Sequence, residues 1–124
     1  PSSAASDVYK RQDYGCDSTA SCDYPIYGKA VAEAIAAGKQ DLGILICGTG
    51  IGMSMVANKV EGVRAALCSD CFSAQATREH NNANVLCMGA RTIGPGLALM
   101  IVDKFVDTPF SNDERHVRRI KMFS

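Results

Sequence analysis

The residues with the greatest chemical potential lie in one run, Cys47-Gly48-Thr49-Gly50-Ile51-Gly52-Met53-Ser54, where three glycines are interleaved with a thiol and two hydroxyls. A turn of this composition lets successive backbone N–H groups point one way at the head of a helix, where an anion is stabilised. Cys47 closes the apolar run that starts at Leu42, so its sulfur falls at the mouth of the turn and ionises more readily than one in an apolar core. The competing reading is structural: a tight strand-to-helix turn beside a small buried hydrophobe. Nucleotide loops fit less well. No Lys-Ser/Thr pair follows, as a phosphate loop requires, and the acidic residue expected after the next strand of a dinucleotide site has only Asp70 as its candidate.

Other titratable groups are scattered. His80, in His80-Asn81-Asn82, follows a polar helical stretch and precedes an apolar run, so it falls near a strand-linked edge where an imidazole could pass a proton at neutral pH. A dipole partner at a helix C-terminus is the alternative. Arg91 follows an apolar run, and Arg115 and Arg119, four apart, share a helical face suited to gripping phosphate oxygens. A solvated basic face is the ordinary alternative, and His116 in the same segment reads as a solvated side chain. Cys68-x-x-Cys71 has redox or half-zinc spacing, but no second pair stands at finger spacing and Cys68 reads as core, so no metal is expected.

The elements that must position these groups are legible in the hydrophobic pattern. Leu42–Cys47, Val63–Cys68 and Val85–Met88 are short continuous apolar runs, the signature of strands buried on both faces. Helical stretches alternate with them: Ile26 to Gly38 with Pro25 in its first turn, about Met53 to Lys59, about Phe72 to His80, and Gly94 to Val106. A basic terminal helix over 113–121 is expected to be capped by Ser111 or Asn112. Strands separated by helices make right-handed βαβ units, so the expected fold class is α/β, a Rossmann-like three-layer α/β/α arrangement with a parallel sheet. Ligands of such sheets bind at the carboxyl ends of the strands.

The chain of 124 residues fits one domain. Lys plus Arg number 13 and Asp plus Glu 13, so no global field recruits nucleic acid or an acidic membrane surface, and any phosphate site is local. No run approaches a membrane span and no secretory signal layout opens the chain. Of the six cysteines, Cys47, Cys68 and Cys87 sit within apolar runs, and beside five methionines they read as reduced thiols. A cytoplasmic protein is expected. Residues 1–12 (PSSAASDVYKRQ) carry no periodicity and read as an unstructured or foreign tail, leaving 13–124 as the domain.

Taken in order, Asp23-Tyr24-Pro25, Gly43 through Gly52, Ala57-Asn58-Lys59, His80 through Leu86, Gly89-Ala90-Arg91 and Arg115 to Arg119 resemble ribose-5-phosphate isomerase type B and its galactose-6-phosphate isomerase relatives. The resemblance implies a cofactor-free homodimer with each active site built from both subunits, acting in the pentose phosphate pathway. It implies Cys47 as the base that moves a proton between C2 and C1 through an enediolate, and His80, assisted by Thr49, as the group that opens the furanose ring. Gly48, Gly50, Ile51, Gly52 and Ser54 would form the anion hole, Asp23, Tyr24 and Asn81 would hold hydroxyls, and Arg91, Arg115 and Arg119 would grip phosphate. Such a hole suits the chemistry, because the charge leaving carbon must be stabilised on oxygen. A subgroup of the family uses a glutamate base where Met53 stands here, and a methionine takes no proton. Family members also open with a strand ending in a Gly-Ser-Asp-His type motif, in whose place the tail stands, so a domain incomplete at its N-terminus, with impaired stability and activity, is expected. A six-carbon aldose phosphate substrate, galactose or allose 6-phosphate, and a non-catalytic sugar-phosphate-binding module are the alternatives.

Overall fold

The structure, a computed structural model, describes residues 23–124. The expected tail, and the loop that follows it as far as Cys22, lie outside the described residues. From Tyr24 the chain runs α1 (Tyr24–Ala36), β1 (Gly43–Cys47), α2 (Ile51–Ala57), β2 (Ala65–Leu67), α3 (Cys71–Asn81), β3 (Val85–Gly89), α4 (Pro95–Asp107) and α5 (Glu114–Ile120). The strands form one parallel sheet in the order β1-β3-β2, with Gly43 opposite Val85, Cys47 opposite Gly89 and Ala65 opposite Val85.

Central β3 is buried at all five positions because side chains alternate between two covered faces. On one face Val85 and Cys87 join Leu45, Ala32 and Ile35 of α1, and Met53 and Ala57 of α2. On the other, Leu86 and Met88 pack with Ala74 of α3 and with Ile101 and Phe105 of α4. The second face is covered unevenly: Ile44 and Ile46 of β1 remain 40% and 53% exposed.

Local chemistry explains the element ends. Pro25 occupies the first turn of α1, and past its end Gly38 turns left-handed at φ 76°, its N–H donating to the Ile35 carbonyl and that of Lys39 to Ala34. Strand β2 is shorter than its apolar run, and its outward edge at Ala65 is closed by one side chain. Asn58 Oδ1 accepts from the Ala65 N–H at 2.8 Å while Asn58 Nδ2 donates to the Ala65 carbonyl at 3.0 Å, imitating a neighbouring strand. The cap of α5 is Asp113, whose carboxylate accepts from the Arg115 N–H at 2.9 Å, not Ser111 or Asn112. Asn112 is spent on a left-handed turn at φ 58°, and Ser111 Oγ accepts from the Asp113 N–H one step before the helix. Among the described residues no helix is long and apolar enough to cross a membrane, and no three His, Cys, Asp or Glu side chains gather to hold a metal.

Candidate active site

Strand β1 ends at Cys47 and α2 begins at Ile51, leaving three residues to reverse the chain. Gly50 makes the reversal at φ 80°, where a β-carbon would also stand 2.8 Å from the Met88 carbonyl carbon, so only glycine fits. The turn folds over the sulfur: Gly50 N–H donates to Cys47 Sγ at 3.2 Å. Partial burial pushes the thiol pKa up, but N–H groups of Met53, Gly50, Thr49 and Gly52 together outweigh it and hold the pKa below the ordinary value. The Met53 side chain points the other way, 6% exposed in the core with its sulfur against Gly28, so this position contributes an amide and no base.

Neighbouring elements build the walls. Gly89, the end of β3, lies so close to the Thr49 backbone that a β-carbon would approach its Cα within 2.7 Å. Beyond it, Ala90 N–H donates to the Cys47 carbonyl at 2.8 Å and Arg91 N–H to Gly48 at 3.0 Å, which extends the ladder and lays the Arg91 side chain across Gly48. The phenol of Tyr24 rests on Gly52, and Asp23, exposed at the head of α1, makes no cap bond with its side chain. Thr49 Oγ1 accepts from the Ile51 N–H at 3.2 Å, and Ser54 Oγ donates to the Ile51 carbonyl at 2.7 Å. Asp23, Tyr24, Cys47, Gly48, Thr49, Gly50, Ile51, Gly52, Ser54 and Arg91 therefore share the carboxyl edge of the sheet.

His80, Asn81, Arg115 and Arg119 do not. Helix α3 leaves the carboxyl end of β2 and returns to the start of β3, so its last turn sits at the amino edge. Cys47 is level with Gly89 and the return is level with Val85, roughly 13 Å away at the rise of a parallel strand. The expectation that His80 flanks a strand edge holds, but that edge is opposite the thiol. The turn is firmly built. Arg78 Nε donates to the Thr108 carbonyl at 3.0 Å and its Nη1 reaches the Ala83 carbonyl, while Arg64 Nε donates to the Asn82 carbonyl at 2.8 Å. Asn82 takes the left-handed C-cap at φ 48°, and Asn84 Oδ1 accepts from the Arg64 N–H at 2.7 Å. Neither arginine stood out in the sequence, where both resemble ordinary solvated charges.

Helix α5 packs against this turn, with Ser111 N–H donating to the Glu79 carbonyl at 3.3 Å. His116 is 8% exposed, not solvated: its ring lies 4.5 Å from that of His80, centre to centre. The arginine side chains of this helix face out, Arg115 and Arg119 both being exposed. Elsewhere, Cys68 and Cys87 are buried free thiols; burial and the nearby Asp70 push the first up to about 11, and burial with the neighbouring thiols pushes the second to about 12. Neither is ready for redox or metal chemistry near neutrality.

Known proteins resemble this chain in sequence and in fold. A family model described as Ribose/Galactose Isomerase matches residues 3–123. Ribose-5-phosphate isomerase B of Escherichia coli strain K12 is 48% identical over 109 residues, which cover 88% of this chain and 72% of that protein. D-erythrulose-4-phosphate isomerase of Pectobacterium atrosepticum is 52% identical over 99 residues, 79% of this chain and 65% of that one. The solved ribose-5-phosphate isomerase B of Clostridium thermocellum superposes with a TM-score of 0.91 at 44% identity, covering 98% of this chain and 81% of its own. With a model matched over almost its whole length and relatives this similar, the chain belongs to the ribose/galactose isomerase family of sugar-phosphate isomerases.

Proposed function

We propose that the chain interconverts D-ribose 5-phosphate and D-ribulose 5-phosphate, with Cys47 as the base. The observation that carries this reading is the Cys47 sulfur set in the glycine turn, accepting the Gly50 N–H at 3.2 Å, with amides of the turn holding its pKa down. A thiolate there takes the proton from C2 of the open-chain aldose and leaves an enediolate. The thiol then returns a proton to C1 while the hydroxyl proton moves from O2 to O1, so atoms and charge balance. C1 and C2 are adjacent, and one base on one face serves both. The N–H groups of the Gly48–Gly52 turn stabilise the oxygen on which charge accumulates, joined by Ser54 once its hydroxyl turns from the Ile51 carbonyl, a role worth about 3 kcal/mol per donor in comparable sites. Asp23, Tyr24 and Asn81 hold hydroxyls, His80 with Thr49 opens the furanose ring, and Arg91, Arg115 and Arg119 take the phosphate. No step calls for a cofactor.

The separation of the two half-sites supports a homodimer in which the amino edge of one copy meets the carboxyl edge of the other. His80, Asn81, Arg115 and Arg119 then act on sugar held at the partner's cradle. Ribose 5-phosphate is favoured by the Escherichia coli relative's name; the Pectobacterium relative is named for a four-carbon substrate, so the panel must be wider. The test is incubation in deuterated water with ribose, allose and galactose phosphates and with D-erythrulose 4-phosphate. Label is expected at the carbon next to the carbonyl, fastest for ribose 5-phosphate, with Cys47→Ala slowing exchange by about 10²- to 10⁴-fold. Undiminished exchange in that variant removes the thiol from the mechanism, and tight binding without exchange in the unmodified chain makes it a binding module.

A further inference from the structure

The buried histidine of α5 has no part in the chemistry above, yet it touches two groups that do. His116 Nδ1 lies 2.8 Å from Ser111 Oγ, its Nε2 lies 3.4 Å from Arg115 Nη2, and its ring packs against His80. A guanidinium only donates, so Nε2 accepts, and the proton of the neutral ring sits on Nδ1 and is donated to Ser111 Oγ. That oxygen also accepts from the Asp113 N–H at 3.1 Å, and the Ser111 N–H is tied to Glu79, one residue before His80. The chain of contacts thus runs from the α3 terminus through Ser111 to the ring and out to an exposed arginine.

We infer that His116 is a positioning residue, held as the neutral Nδ1–H tautomer, that aims the Arg115 guanidinium at the substrate phosphate and braces the His80 ring for proton transfer. The inference rests on the roles proposed above for Arg115 and His80. The neutral form matters to both. A protonated ring has no lone pair for Arg115 and places a second positive charge beside it. A hydrocarbon ring preserves the stack but leaves the guanidinium without its acceptor. An amide of similar reach preserves an acceptor but removes the stack. The two duties are therefore separable by substitution.

The first measurement is the tautomer, read from the nitrogen shifts of His116 in the labelled full chain at neutral pH. Protonation on Nδ1 alone is expected; an Nε2–H ring or an imidazolium overturns the inference without reference to activity. The second is kinetic, with ribose 5-phosphate and with D-erythrulose 4-phosphate, which closes no furanose ring: its C2 ketone is too near O4 for a five-membered ring, and in the aldose isomer O4 is blocked by the phosphate. His116→Phe is expected to raise KM about tenfold for both sugars with little change in kcat, the pattern of a lost ground-state phosphate contact. His116→Gln is expected to keep KM and to lower kcat about tenfold for ribose 5-phosphate only, since the four-carbon sugar needs no ring opening. Equal losses in both variants on both substrates mark a merely structural histidine and overturn the inference, as do unchanged kinetics. His80→Asn separates the underlying reading. Full turnover of ribose 5-phosphate in that variant removes His80 from ring opening, while the tautomer and the KM of His116→Phe still judge His116.

Discussion

Thiols in this chain are sorted by what surrounds the sulfur. Cys47 accepts amide hydrogens, whereas Cys68 and Cys87 meet hydrocarbon and are pushed up to about 11 and about 12. Alkylation follows the thiolate fraction and access, so a limiting amount of iodoacetamide at pH 7.5 is expected to modify Cys47 well before Cys68 or Cys87. The direction of its pH dependence follows from the same contacts. Hydrogen bonds to the charged form lower the pKa, so the rate of Cys47 modification reaches half its plateau at a lower pH than that of an unperturbed thiol. Mass mapping of the modified peptides across pH checks both statements. Modification of Cys87 before Cys47, or a Cys47 midpoint above the free-thiol value, contradicts the cradle. If the thiolate is the base, turnover rises with pH along the same curve.

The turn that makes this cradle depends on glycine for geometry, and not every glycine here does. Gly50→Ala would force an L-residue to φ 80° with its methyl 2.8 Å from the Met88 carbonyl carbon, next to the sulfur it serves. The left-handed backbone alone costs about 1–2 kcal/mol, and relief of the clash must move the amide off Cys47. Gly96 lies inside α4 with nothing within 4 Å of an added β-carbon, so Gly96→Ala is expected to stabilise by about 0.4–1 kcal/mol. Thermal unfolding of the two variants therefore moves in opposite directions, and a neutral Gly50→Ala refutes the strained turn. This turn was readable in the sequence because strand end, glycines and helix start are contiguous, and the alternation of apolar runs with helical stretches gave the sheet. Less was readable where elements meet. His116 looks solvated within its basic segment because the groups that bury it, the His80 ring and Ser111, come from another helix and a loop. Arg64 and Arg78 likewise reveal their work only through carbonyls of Asn82, Ala83 and Thr108.

At the scale of the whole molecule the parallel topology divides the proposed machinery. A helix that joins two parallel strands begins at one edge and ends at the other, so Cys47 and His80 cannot meet within one chain without unmaking β3. The proposed two-fold dimer would solve this by presenting the amino edge of each copy to the carboxyl edge of its partner, with two equivalent sites. The arrangement has a consequence that a site within one chain lacks. Cys47→Ala and His80→Asn each remove one group from every site of their own homodimers. If the partner's His80 serves each Cys47, both lesions of a mixed dimer fall in the same site and the other site is intact. Refolding the variants together in equal amounts gives half mixed dimers with one good site of two, so about a quarter of the unmodified turnover is expected on ribose 5-phosphate. The measurement needs only activity before and after co-refolding, with each variant refolded alone as its control. Mixtures that stay as inactive as the separate variants place the whole site in a single chain and rule out the shared arrangement.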